Sequence, residues 1–276
     1  MDNYSMAMPA AISNEHKLYL KKMQSRQMKI KLLQLFIFVG FFALWETAAR
    51  LKWIDAFIFS QPSRIFTAFA AMVANGSIFM HIGVTLGETA AGFIFSTVVG
   101  TLAAILLWWN PFVEKVVAPY LVILNSLPKT ALAPIIIVWI GNNIYSVIFT
   151  AIITSIIVTI ISVTAGFFEV SKDKIKLIRT LGGTKKQIMK MVVLPASIPT
   201  VVSALKINVG LSLVGVMVGE FLVAKAGLGY LIMYGSQVFK MDWVMLSIII
   251  LCVMAWLLYR IVVLLEKKLS FMGTGK

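Results

Sequence analysis

The residues of this chain that could do chemistry are few and stand in unusual places. Lys129, Lys206 and Glu220, with Asn125 and Asn208, lie within stretches otherwise apolar enough to enter a bilayer. A charge at membrane depth is costly and faces a bundle interior or a water-filled cavity. Each of the five is therefore a candidate for lining a solute pathway. Lys206 has two readings: it attracts an anion along that pathway, or it reaches the interface or pairs with a carboxylate elsewhere in the bundle. Lys129 leans towards the pathway. Glu220 is read either as closing an external loop through a structural hydrogen bond or as a pathway residue, and Glu46 and Glu88 as interface or packing acids. Catalytic residues are not in evidence. There is no H-E-x-x-H, no G-x-S-x-G and no carboxylate cluster, and Gly273-Thr274-Gly275-Lys276 lacks the spacing of a phosphate-binding loop. The single cysteine, Cys252, and the well-separated His16 and His81 offer neither a disulfide nor a metal site.

A second constellation carries a different chemistry. From Ser171 to Pro199 the chain reads SKDKIKLIRTLGGTKKQIMKMVVLPASIP. Lys172, Lys174, Lys176, Arg179, Lys185, Lys186 and Lys190 face one acid, Asp173. Gly182-Gly183 can end a helix and turn the chain. Ile175, Ile178 and Leu181 before the pair, and Ile188, Met191 and Val192 after it, follow the period of two short amphipathic helices. Basic residues alone would hold such a loop in the cytoplasm as plain topology. The glycine turn, the apolar stripes and the abrupt Leu194-Pro195 point further, to a coupling element that docks a soluble partner.

The elements that must position these residues are membrane spans. The chain has 276 residues, 13% of them charged, and a formal net charge of +14; its mean hydropathy is +0.93. A soluble domain could not bury that much apolar surface. Spans of about 20 residues are expected near 32–51, 84–109, 113–140, 144–165, 196–222 and 242–265, giving an all-α membrane protein with six transmembrane helices. Residues 1–31 form a cytoplasmic N-terminal segment, amphipathic and basic from residue 17. Residues 32–268 form the transmembrane domain, with the coupling loop at 171–195, and 269–276 form a cytoplasmic tail. The third segment is interrupted by Pro119, Pro128 and Pro134. Broken backbone at that depth must be buried in protein or face water, which makes it a candidate pore wall. The fourth span, rich in Ile, Val and Thr, is expected to face lipid or serve as packing surface. Lys17, Lys21, Lys22, Arg26, Lys29 and Lys31, the loop, and Arg260, Lys267 and Lys268 fall on one side, which places both termini in the cytoplasm. The cations follow topology and lack a soluble binding fold, so nucleic acid is excluded as a partner.

At these residues the chain resembles the membrane permease subunits of bacterial ABC importers, in the branch associated with nitrate, taurine and alkanesulfonate uptake. The family's EAA coupling motif ends in G, nine residues, then I-x-L-P. Gly182, Val192 and Leu194-Pro195 match it, whereas Lys176, Leu177 and Ile178 replace the acidic and alanine residues at its start. Leu44-Trp45-Glu46, Pro62-Ser63, Leu127-Pro128 through Trp139-Ile140-Gly141, and Gly219-Glu220 through Gly227-Leu228-Gly229-Tyr230 are similar too. The resemblance covers about residues 35–268. It implies a type I importer fold in the bacterial inner membrane and a homodimer with the path at its interface. It also implies two cytoplasmic ATPase subunits that bind the ATP, so that this chain needs no cofactor, and an extracytoplasmic substrate-binding protein or lipoprotein that delivers a small solute, an anion such as a sulfonate, taurine or nitrate. Ile175, Lys176, Ile178, Arg179, Leu181, Gly182, Gly183 and Lys185 would dock the ATPase. Asn125, Lys129, Lys206, Asn208 and Glu220 would line the path. The rival reading is an ion-coupled secondary transporter with Lys206 and Glu220 as its coupling pair.

Overall fold

The structure, a computed structural model, describes residues 14–273, with side chains described at residue 19, at 21–264 and at 266. Residues 1–16 were expected to be loose; of these 1–13 lie outside the described residues and 14–16 are helical, and the end of the tail at 274–276 and the side chains of His16 and Lys17 lie outside the described residues as well. Every regular element among the described residues is a helix. Two compact units divide at Ser63 and Arg64.

In the first unit, α1 (Asn14–Arg50) is one helix of 37 residues. The sequence suggested a basic surface helix followed by a span from Leu32. The stretch contains no proline and only Gly40, so nothing interrupts the backbone hydrogen bonds where basic residues give way to apolar ones. At 1.5 Å per residue α1 is about 55 Å long, against about 30 Å of hydrocarbon. Near its end the Glu46 carboxylate accepts from the Ser63 backbone N–H at 3.0 Å and the Ser63 hydroxyl at 2.9 Å, and pairs with Arg50 at 2.7 Å. The short α2 (Ala56–Phe59) is capped by Asp55, which accepts from the Phe57 N–H at 2.8 Å.

The second unit carries the rest of α3 (Pro62–Ala74), then α4 (Ser77–Trp109), α5 (Pro111–Ser126), α6 (Lys129–Ile140), α7 (Ile144–Glu169), α8 (Lys172–Thr180), α9 (Lys185–Ile188), α10 (Leu194–Val223), α11 (Leu228–Gln237) and α12 (Met241–Gly273). Helix α7 is its packing centre, against α4 and α10. One stripe of α7, through Ser146, Thr150, Thr154, Ser155 and Thr159, is buried. Thr150, Thr154, Ser155 and Thr159 each donate to the carbonyl four residues earlier, so these hydroxyls need no partner on another helix. Small residues let the backbones approach: a Cβ on Gly92 of α4 or Gly215 of α10 would lie 2.6 Å from Ala151.

Among the described residues, five helices are long and apolar enough to cross a membrane, or six if the bent pair α5 and α6 counts as one span. That pair bends by 93°. Pro128 forces it, because proline drives the preceding residue out of the helical region; Leu127 is extended, with ψ 138°. The span expected to begin near Ala196 instead starts at Lys185 and runs through a π-helical turn, Met189–Val193, into α10. Pro195 follows at once and has no N–H to return to the preceding turn, and the wider π-turn adjusts the ladder there.

Candidate functional site

The loop between α7 and α10 builds itself from local rules. Asp173 in the first turn of α8 and Arg179 in the last suit the helix dipole. The helix ends as Gly182 takes φ +80° and the Gly183 N–H donates to the Ile178 carbonyl at 2.9 Å. A Cβ on Gly183 would lie 2.5 Å from Ile178 Cγ2. Thr184 then starts α9 with a capping box: its N–H donates to Gln187 Oε1 at 2.7 Å, and its hydroxyl accepts from the Gln187 N–H at 3.3 Å. T-x-x-Q is a sequence signature of such a start, although Thr184 and Gln187 do not stand out among the cations.

The two apolar faces of α8 have different duties. Ile175 and Ile178, both expected to dock a partner, pack inward on a cluster that includes Ala104, Trp108, Val163, Phe167 and Ile188. Leu181, 75% exposed, and Leu177, 60% exposed, point away from that cluster. Leu177 was not singled out, because the pairs 175/178 and 177/181 both have helical spacing and nothing local says which one the protein covers. Lys176 and Arg179 are exposed beside them and line a shallow groove with Lys172, Ile175 and Thr180. Lys185 behaves differently. Its ammonium donates to the Trp109 carbonyl at the end of α4 and lies 5.6 Å and 5.9 Å from the Trp108 and Trp109 ring centroids.

The pathway candidates fall in four separate places. Asn125 and Lys129 meet across the bend between α5 and α6, where Lys129 Nζ donates to Asn125 Oδ1 at 3.0 Å and to its carbonyl at 3.2 Å. Lys206 pairs with Glu266 of α12 at 2.7 Å, so a carboxylate in the bundle meets its charge. Asn208 has no exposed surface; its Nδ2 donates to Ser96 Oγ at 3.3 Å and Thr97 Oγ1 at 3.2 Å of α4. Asn208 therefore holds α4 to α10 and faces no open path within this chain.

Glu220 occupies the fourth place, a buried cap for α11. The N-terminal N–H groups of a helix need acceptors, and Gly227, which precedes α11, has no side chain to offer one. Other helices supply them. His81 Nδ1 accepts from the Gly227 N–H at 3.0 Å, Thr85 Oγ1 from the Leu228 N–H at 2.8 Å, and Glu220 Oε2 from the Gly229 N–H at 2.5 Å. Thr85 Oγ1 also donates to Glu220 Oε1 at 2.7 Å. Gly227 has φ +117°, and a Cβ there would lie 2.3 Å from Glu220 Cδ. Glu88 is buried on α4, three residues after Thr85. Lys206 and Glu220 stand 14 positions apart on α10, about 21 Å along its axis, and do not form a pair. Sequence reasoning did not find His81 and Thr85 as members of the cap; their one signal is an i, i+4 spacing on the face of α4 that also carries Glu88. Among the described residues no group of His, Cys, Asp or Glu could hold a metal ion.

The fold agrees with three comparisons. The profile of the family described as "Binding-protein-dependent transport system inner membrane component" matches residues 96–270. A formylaminopyrimidine transport permease protein of Halalkalibacterium halodurans is 30% identical, over 70% of this chain and 76% of its own. A putative aliphatic sulfonates transport permease protein of Bacillus subtilis is 27% identical, over 82% of each chain. A taurine transport system permease protein of Escherichia coli is 21% identical, over 82% of this chain and 84% of its own. Among solved structures, an inward-facing methionine ABC transporter shares the fold with a TM-score of 0.62 at 20% identity, over 70% of this chain and 95% of that one. With Gly182 and Leu194-Pro195 spaced as in the coupling motif, and with this helical architecture, the chain belongs to the binding-protein-dependent inner membrane components, the permease subunits of ABC importers.

Proposed function

We propose that two copies of the chain enclose one translocation path in a bacterial inner membrane, and that two ATPase subunits drive it from the cytoplasm. The carrying observation is the outer face of α8. Leu177 and Leu181 are large, apolar and exposed, and Lys176 and Arg179 stand beside them. Adjacent exposed apolar residues rimmed by polar ones mark a protein–protein contact, and a soluble ATPase with an apolar groove and an acidic rim fits. ATP belongs to that partner. An extracytoplasmic binding protein delivers the solute at the opposite face, near the turn at Gly141. The excess of cations in α1, the loop and α12 supports a cytoplasmic loop and cytoplasmic termini. ATP then biases a two-state bundle between inward-open and outward-open forms.

For the solute, Lys129 beside Asn125 at the bend favours a small anion of the sulfonate or taurine class, the class in the names of two relatives. A second reading, an uncharged heterocycle such as the formylaminopyrimidine of a third relative, is favoured by Glu266, which compensates Lys206. Purification of the tagged chain in mild detergent tests the coupling. The wild type should bring an ATPase in equal amount, and Leu177→Asp with Leu181→Asp should lose it while still entering the membrane. Retention of the ATPase by the double variant would overturn the docking face. Uptake of labelled taurine against labelled formylaminopyrimidine separates the two solute classes.

A further inference from the structure

We propose that Lys185 works inward, as a positioning residue that fastens the cytoplasmic loop to the α4–α5 junction and conveys the loop's movement to the broken span. The inference rests on the ATP-driven reading above. Lys185 is the first residue of α9, where the helix dipole disfavours a cation. Its ammonium leaves that helix for the carbonyl of Trp109, the last residue of α4. Terminal carbonyls of a helix lack intrahelical donors and welcome a cation. The rings of Trp108 and Trp109, 5.6 Å and 5.9 Å away, hold the ammonium by cation–π attraction.

What lies beyond the contact gives it a role. Trp108 is buried in the same cluster as Ile188, Met189 and Val193, so the start of the long α9–α10 helix and the end of α4 share one packed core. Asn110 follows Trp109 directly and caps α5, accepting from the Phe112 N–H at 3.1 Å and the Val113 N–H at 3.4 Å. Helix α5 leads without a break to the 93° bend and the Asn125–Lys129 contact. A route of hydrogen bonds and helix therefore joins the loop to the bend, and Lys185 supplies the charge-assisted hydrogen bond at its start. The neighbouring Lys186 is also exposed and serves as the control.

The test uses the chain in complex with its ATPase subunits, in lipid nanodiscs, with Cys252→Ser as background. Spin labels are placed at Lys174→Cys on α8 or Phe112→Cys on α5. The distance between the two copies is measured with and without ATP and vanadate. In the parent both distances should shift. With Lys185→Met the shift at 174 should remain and the shift at 112 should be lost; Lys185→Arg should restore it, and Lys186→Met should change neither. A shift at 112 that persists in Lys185→Met would overturn the proposal. Loss of both shifts in that variant would also overturn it, by assigning Lys185 to ATPase docking. If the parent shows no shift at 174, the ATP-driven reading fails and this inference falls with it.

Discussion

Thr85 serves two partners with one hydroxyl, accepting from the Leu228 N–H and donating to Glu220. Thr85→Val keeps the shape and orphans both groups, at a cost of about 1–3 kcal/mol for each buried group left unpaired. The thermal midpoint of the detergent-solubilised protein should fall, and Thr85→Ser should recover most of it. Gly227→Ala should be more damaging, because the added carbon meets the Glu220 carboxyl itself. The two intramembrane lysines should part company. Lys206 already has a carboxylate partner in Glu266, the two side chains being 21% and 29% exposed, so Lys206→Ala should lower the thermal midpoint and leave uptake near normal. Lys129→Ala removes the one cation at the bend; a hydrogen bond to a charged group is worth about 1.5–3 kcal/mol, so uptake of a labelled sulfonate should fall roughly tenfold or more. Equal losses in the two variants would contradict this assignment. The sequence could say that Glu220 needed a partner and that one use was to close an external loop. It could not say that His81 and Thr85 complete the cap, because they lie 146 and 143 residues from the backbone groups they receive.

Helix α8, Gly182-Gly183 and Thr184 form the element most legible in advance, because each step obeys a local rule of termination or capping. Its tertiary use was less legible. Ile175 and Ile178 went to the interior and Leu177 with Leu181 to the outside, and only the cluster around Trp108 decides between two faces of equal pattern. Proline cannot take the φ of +80° at Gly182, and at Gly183 it removes the N–H that closes α8. Gly182→Pro with Gly183→Pro should therefore abolish ATPase co-purification and uptake while membrane insertion stays intact. Unchanged uptake would count against coupling through this loop. The bend at Pro128 was visible as a proline-interrupted segment, but its angle was not. The π-turn before Pro195 was hidden, because the stretch after Gly183 reads as an ordinary amphipathic helix. In α1 the opposite error arises: a change of composition suggested a boundary where the backbone has none.

At the scale of the whole molecule, hydropathy and the one-sided cations were sufficient to read a helical membrane protein, and Gly182 with Leu194-Pro195 to read its family. Which helix stands at the centre was not readable. The Ile-Val-Thr run of α7 is so uniformly apolar that its buried stripe shows only in the four-residue recurrence of Ser and Thr from Ser146 to Thr159. The central claim is that the exposed face of α8 meets a cytoplasmic ATPase. A photoreactive amino acid at position 181, in intact cells, tests it most directly, with position 145 at the other end of α7 as the comparison; Tyr145 is similarly exposed, at 71%. The account predicts an adduct with the ATPase from position 181 and none from position 145. No ATPase adduct at 181, or one at 145, would contradict it.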